Sequence, residues 1–348
     1  MPRKKGRLAR LVSGVFERRP LPLPIVIALD VLLLGAALVV FALFHHVIPR
    51  KGTPVGTVSS REGAAQTVVI EVAAPSVAPE EPEPTVAAAV GDFSLLYPEG
   101  FSASGAREWN EGDTYVYQSE NVRIANTPHS EDFGDGMVNY YVSDILVRDI
   151  SNFQTALAKD TYGRGYREET AALAARSGAL IAVNGDYYGS RSEGIVMRNG
   201  TLYRQSEFGD ICVLYWDGTM ETYLQYDVDP EAILARGPYQ IWSFGPELLD
   251  DEGQKMAAFN SAVAPNNPRT AIGYFAPGHY CFVVVDGRSS ASKGVTLSQL
   301  SELMFKLGCK RAYNLDGGQT SVMTWRGEIV NRPAEGGRPC SDIIMIVE

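Results

Sequence analysis

Two Asp-Gly turns stand on either side of one short amphipathic helix in this chain, and that arrangement limits the folds open to it. The first turn ends FVVVDGR and the second ends AYNLDGG, with GVTLSQLSELMFKLGCK between them. Thr296 is placed to cap the helix start, Gln299 fills the capping-box position three residues on, and Val295 with Leu300 fit a hydrophobic staple. Leu300, Leu303, Met304 and Leu307 form one apolar stripe, and Gly308 suits a left-handed terminator. Apolar runs before and after the helix read as strands, so a strand, helix, strand unit is predicted with an acid following each strand.

Further strands are expected in MVNYYVSDILVRD, ALIAVNG, ICVLYW, METYLQY, TAIGYF and SDIIMIV, several of them separated by DG, NG or PG turns. REETAALAARSG supplies a second short helical pattern, ended by Gly178. The fold class predicted is α/β (mixed α+β), a mixed-sheet domain running from about residue 93 to 348. No internal repeat stands out, and the 34 glycines mark turns and close backbone approaches in a folded protein.

The N-terminal part has a different composition. Residues 1–20 carry seven basic residues against the single acid Glu17, and an apolar run from Leu21 to Val47 follows, with Asp30 the one charged member of its centre. Its length suits about 30 Å of hydrocarbon, and no small-x-small cleavage motif closes it, so the expectation is an uncleaved transmembrane helix over 21–47. The basic tail, 1–20, then stays in the cytoplasm, making the protein single-pass in the cell membrane with the C-terminal domain extracytoplasmic. Residues 48–92, rich in Pro, Glu and Ala, read as a flexible linker, with VVIEV at 68–72 as an isolated strand pattern.

The net charge of −10 hides an asymmetry: the segment before the apolar run carries +6 and the part beyond the span −15. Such acidity disfavours nucleic acid as a partner, and any anionic substrate needs a local cluster of arginines. Cys212, Cys281, Cys309 and Cys340 are widely spaced and lack zinc or redox motifs. Buried thiols and disulfides both stay open, with Cys309 to Cys340 and Cys212 to Cys281 the preferred pairing if bonds form. The four histidines show no metalloprotease spacing, and no G-x-S-x-G elbow occurs, so a histidine-centred hydrolase is disfavoured.

The remaining chemistry lies in polar clusters after strands. IAVNGDYYGSRSEG offers Asn184, Gly185, Asp186 and Tyr187, an amide and an acid beside a ring able to line a sugar face. NNPRTAIGYF places Arg269 at a strand entry. VVVDGR and NLDGGQTSVM supply Asp286, Arg288, Asp316, Gly317, Gly318, Gln319, Thr320 and Ser321, where the paired glycines are expected to turn backbone amides toward an anionic oxygen. Asn331, Arg332 and Arg338 sit in EIVNRPAEGGRPCSDII, where either arginine is able to grip a phosphate.

Taken in order, NLDGGQTSVM with AVNGDYYG, PRTAIGY, VVVDGR, GVTLSQLSELMFKLGC and NRP resembles the bacterial phosphodiester glycosidase family, over approximately residues 140 to 348. The resemblance matches Asn184 and Gly185 to the family's NG turn, Arg269 to its arginine before AIG, Asp286 to its VDG acid, and Asp316, Gly317 and Gly318 to its LDGG signature. Asp186 and Tyr187 stand where relatives often have Gly and Phe, and Gln319 and Thr320 stand where GS-like residues are common, which leaves glycan and aglycone choice open.

The resemblance implies hydrolysis of a sugar 1-phosphodiester glycosidic bond in an envelope or exopolysaccharide glycan. Asp316, Asp286 and Asp186 are the expected catalytic acids. Asn184, Gly185, Tyr187, Arg269, Gly317, Gly318, Thr320, Ser321, Asn331, Arg332 and Arg338 are the expected substrate contacts, with Arg269 and Arg338 on the phosphate. The expected partners are a phosphodiester-linked glycan and, through the N-terminal helix, the membrane. No cofactor is required by the pattern, and a divalent cation bridging an acid and the phosphate stays open. The alternatives are a noncatalytic envelope glycan-binding module and an assembly protein.

Overall fold

The computed structural model describes residues 23–42, 53–54, 92–206, 209–256 and 258–348. The basic tail, the VVIEV segment and nearly all of the linker fall outside the described residues. The chain divides into two compact units, Met1–Pro49 and Arg50–Glu348.

In the first unit, among the described residues, no helix is long and apolar enough to cross a membrane. This corrects the expected transmembrane anchor, and with it the membrane as a partner and the single-pass location. The helix described there is α1 (Leu23–Ala42), with Asp30 inside it; the rest of the expected 21–47 run lies outside the described residues.

The second unit is a mixed α/β, sheet-rich domain. Its strands are β1 (Thr53–Pro54), β2 (Arg107–Glu111), β3 (Thr114–Gln118), β4 (Val122–Asp132), β5 (Met137–Val147), β6 (Phe153–Leu157), β7 (Thr161–Tyr162), β8 (Ile181–Asn184), β9 (Ile195–Arg198) and β10 (Thr201–Gln205). They continue with β11 (Ile211–Tyr215), β12 (Met220–Tyr223), β13 (Pro238–Trp242), β14 (Arg269–Ala276), β15 (His279–Val285), β16 (Arg311–Asn314), β17 (Met323–Trp325), β18 (Glu328–Ile329) and β19 (Asp342–Ile346). A seven-stranded sheet has the order β16-β14-β15-β5-β4-β3-β2. One five-stranded sheet has the order β18-β17-β8-β19-β6, a second has β10-β9-β13-β11-β12, and β1 pairs with β7. Neighbouring strands pair antiparallel throughout these sheets.

Burial explains why several strands read as unbroken apolar runs. In β15, Tyr280, Phe282 and Val284 enter a core shared with the five-stranded sheets, while Cys281, Val283 and Val285 pack toward the helix Leu297–Lys306. Successive side chains of a strand point to opposite faces, so a strand covered on both sides is apolar at every position. β19 repeats the pattern, with Ile344 and Ile346 in the shared core and Ile343 and Met345 against the helix Thr170–Arg176. Phe153 meets Tyr280 and Phe282 edge-on at ring separations of 5.2 and 5.6 Å, locking the layers together.

The helices Thr170–Arg176, Pro230–Ala235 and Leu297–Lys306 are α2, α3 and α4. The expected capping box on α4 is present: Gln299 N–H donates to Thr296 Oγ1, and Thr296 N–H donates to Gln299 Oε1. Leu300, Leu303 and Met304 are buried, and Gly308 takes the left-handed conformation. All four cysteines are buried free thiols. The preferred pairing is corrected, because the neighbouring sulfurs are Cys281 and Cys309, 3.7 Å apart: β15 and the turn that follows α4 share one apolar layer.

A cluster of acids and arginines at one end of the sheets

Antiparallel pairing on both sides of β14 makes β15 and β16 leave the sheet at the same end, where β14 begins. Arg269 pairs with Val285 and Ala271 with Asn314, so Asp286 and Asp316 follow strands that flank the start of β14. Two strand spacings separate their backbones by about 10 Å. The second sheet meets this end through Asn184, the last residue of β8. Asn184 Nδ2 donates to the Asp316 carbonyl at 2.7 Å, and its Oδ1 accepts from Thr270 Oγ1 at 2.7 Å. With both amide atoms occupied and the residue fully buried, Asn184 ties the two sheets together.

Asp316 is satisfied on both oxygens. Oδ1 accepts the Gly317 N–H at 3.0 Å, and Oδ2 accepts Thr320 Oγ1 at 2.7 Å and Arg338 Nη2 at 2.9 Å. Asp286 is satisfied on one oxygen only. Its Oδ1 accepts Asn331 Nδ2 at 2.9 Å and the Arg332 N–H at 3.0 Å, while the buried Oδ2 has no hydrogen-bond partner. Asn331 Nδ2 also reaches the Ser321 carbonyl, and the Ser321 hydroxyl is a second buried polar atom without a partner. A native fold seldom leaves such atoms idle, because stripping water from them costs about 1–3 kcal/mol each. Burial raises the carboxyl pKa of Asp286 against the hydrogen bonds from Asn331 and Arg332, and raises that of Asp316 against Thr320 and Arg338.

Gly317 and Gly318 serve close packing. Their N–H groups already donate to Asp316 Oδ1 and the Pro268 carbonyl, so the expected display of free amides to an anion is corrected. A Cβ on Gly317 would lie 2.8 Å from the Pro268 oxygen. Arg269 is buried and donates through Nε to the Val295 carbonyl and through Nη2 to those of Val263 and Pro265. Without a carboxylate nearby, burial pulls its pKa down to about 10.

Asp186 lies in a closed arrangement that includes two residues absent from the sequence-based set. Arg198 Nη2 is 2.9 Å from Asp186 Oδ2, and Arg198 Nε donates to Asp342 Oδ2 at 2.8 Å. All three residues are buried. Asp186 also accepts the N–H groups of Tyr188 and Ser243. A Cβ on Gly185 would fall 2.4 Å from Asp342 Oδ1, so only glycine fits over this trio. The single arginine ending the apolar IVMR strand was the available signal for Arg198.

Tyr187 stands at the exposed margin, with the guanidinium carbons of Arg191 and Arg338 at 5.8 and 5.6 Å from its ring centroid. Arg191 also lies 4.8 Å from the Phe244 ring. Arg332 is exposed beside Asp286. The open groove formed by Glu131, Asp132, Phe133, Gln299, Glu302 and Lys306 involves none of these residues, and its acids suit an anion poorly. Among the described residues no group of three or more His, Cys, Asp or Glu is placed to hold a metal ion.

Residues 177–347, which contain every member of this cluster, match the phosphodiester glycosidase family, and the similarity implied by the ordered motifs holds at that level. The SPbeta prophage-derived protein YomE of Bacillus subtilis is 30% identical over 184 residues, 50% of this chain and 29% of its own length. The N-acetylglucosamine-1-phosphodiester alpha-N-acetylglucosaminidases of Bos taurus and Homo sapiens are each 29% identical over 85 residues, 24% of this chain and 16% of theirs. The chain therefore spans less than a third of these curated relatives. The catalytic domain of the zebrafish enzyme of that name shares the fold, with a TM-score of 0.52 at 18% identity, covering 75% of this chain and 96% of that domain.

Proposed function

We propose that this protein is a phosphodiester glycosidase that hydrolyses the bond between an anomeric carbon and the phosphate of a sugar 1-phosphodiester, in an envelope or exopolysaccharide glycan. The single observation that carries the reading is the unpartnered, buried Asp286 Oδ2, on a carboxylate whose other oxygen is held by Asn331 and the backbone of the exposed Arg332. An oxygen so placed is kept for a group that arrives with the substrate.

In the reaction, water adds to the anomeric carbon, the bond from that carbon to the phosphate oxygen breaks, and a phosphomonoester leaves with its electron pair. Asp286 Oδ2 takes the proton of the attacking water or faces the positive charge that develops on the sugar ring. Asp316 has no free oxygen; it supplies negative charge to the same region and holds Arg338 in place. A phosphomonoester leaves as a stabilised anion, so a guanidinium does more here than a proton donor. Arg338, a third exposed along its side chain, takes the phosphate role, because Arg269 is occupied by backbone carbonyls. Tyr187 offers its ring to the sugar. Asn184, Gly185 and Asp186 position these groups from behind.

The test is to incubate the full chain with synthetic sugar 1-phosphodiesters and follow release of reducing sugar and phosphomonoester together. Turnover that disappears in Asp286→Asn supports the reading. Turnover preserved in the Asp286→Asn, Asp316→Asn double variant rejects it, and binding without turnover in the wild type shows a glycan-binding module instead.

A further inference from the structure

Resting on that reading, we propose that Arg288 is a second phosphate contact beside Arg338, and that its unneutralised charge carries most of the selection of a phosphodiester over an uncharged leaving group. Arg288 follows Asp286 by two residues and holds a left-handed backbone, φ 56°, uncommon for a residue with a side chain. The turn directs the guanidinium back across the cluster. Nε and Nη2 both donate to Asn267 Oδ1, at 3.2 and 2.8 Å. Nη2 also lies only 3.1 Å from where a Cβ on Gly318 would stand. The Asp286 turn thus sends a guanidinium over the Asp316 turn, and Gly318 leaves room for it.

The partner that holds Arg288 is a neutral amide. Among the described residues no ion pair neutralises Arg288, in contrast to Arg198 with two acids and Arg338 with Asp316. Orientation without neutralisation is what recognition of an external anion requires, since the geometry is fixed in advance and the charge stays available. The side chain is exposed, so a phosphate meets it without first breaking an internal pair. The motif NNPR, read from the sequence only for Arg269, contributes Asn267 as the residue that aims Arg288.

The experiment compares the full-length wild type with Arg288→Gln, Arg288→Lys and Asn267→Ala on two substrates of the same sugar, a methyl-capped 1-phosphodiester and an uncharged nitrophenyl glycoside, and titrates inorganic phosphate into each protein by calorimetry. Arg288→Gln is expected to lower the phosphodiester-to-glycoside ratio of kcat/KM by roughly 10- to 100-fold, mainly through KM, the range of a lost charge-assisted contact. Arg288→Lys recovers part of the ratio, and Asn267→Ala lowers it by less. Equal losses on both substrates, or an unchanged ratio in folded Arg288→Gln, overturn the proposal. If the wild type turns over neither substrate, the glycosidase reading fails by itself. Phosphate binding then decides on Arg288: weaker binding in Arg288→Gln supports it, and equal or absent binding in both proteins refutes it.

Discussion

Two sets of buried acids sit at the same end of the sheets and are treated in opposite ways. Asp186 and Asp342 enclose Arg198, with Gly185 closing over them; Asp342 Oδ1 is left without a hydrogen-bond partner, but against Gly185 and beside a paired cation. Asp286 and Asp316 sit under exposed arginines, and Asp286 keeps an unpaired oxygen. Both sets lose their water on folding. In the closed set an internal cation compensates the cost, so removing a member leaves a naked charge and the loss falls on stability. In the open set no ion pair holds Asp286 among the described residues, and the proposed substrate completes its compensation, so a loss there falls on turnover.

Three substitutions test the contrast. Asp286→Asn should reduce kcat by about 10²–10⁴-fold, the usual worth of a positioned acid-base group, with the urea midpoint changed little; a midpoint that collapses along with activity would place Asp286 in the structural class. Arg198→Met should cost about 3–5 kcal/mol, because Asp186 and Asp342 are then left buried without their cation, and equilibrium unfolding in urea measures it. A fully stable Arg198→Met variant would erase the distinction. Gly185→Ala should cost about 1–3 kcal/mol by overpacking against Asp342; a melting curve identical to wild type rules that contact out.

The smallest effect concerns pH. Burial raises the carboxyl pKa of Asp286 and of Asp316 in the folded state, so the native protein holds protons that the unfolded chain has already released. Their contribution to stability is therefore greatest below the unfolded value, 3.8 for each, and declines as pH rises through the folded values. Ionisation of Asp286 for catalysis is delayed in the same direction, so the acid limb of kcat/KM should lie above the ordinary Asp value of about 3.9. A limb at or below that value contradicts a buried catalytic acid. Glu247 is a second source of slope: burial lifts it to about 7. Glu247→Gln should accordingly flatten the fall in stability between its ordinary value of 4.5 and neutrality, in urea titrations at a series of pH values.

Much of the fold was legible because its signals are local. The capping box of Thr296 and Gln299, the stripe on α4 and the alternating core faces of β15 depend on residues a few positions apart. The acids after β15 and β16 were legible for the same reason, since each follows an apolar run and precedes Gly. The N-terminal run was misread: its apolar composition suggested a membrane span, whereas among the described residues no helix is long and apolar enough to cross, and Asp30 lies inside the one that forms there. Asn184, Asp186 and Arg269 were found as polar residues at strand ends, but a one-dimensional pattern does not say whether such a group faces the backbone, another side chain or solvent.

The sequence by itself determined where the chain turns, which segments alternate or cap, and that Asp286 and Asp316 stand at strand ends in an otherwise acidic chain. Only the tertiary structure decided that Asp286 keeps a free oxygen beside exposed arginines, that Arg198 closes one pair while Asn267 merely aims Arg288, and that the paired glycines admit a neighbouring backbone. The physical reason is that compensation of a buried charge depends on partners dozens of residues away, brought within 3 Å by strand pairing, and spacing along the chain carries no record of that distance.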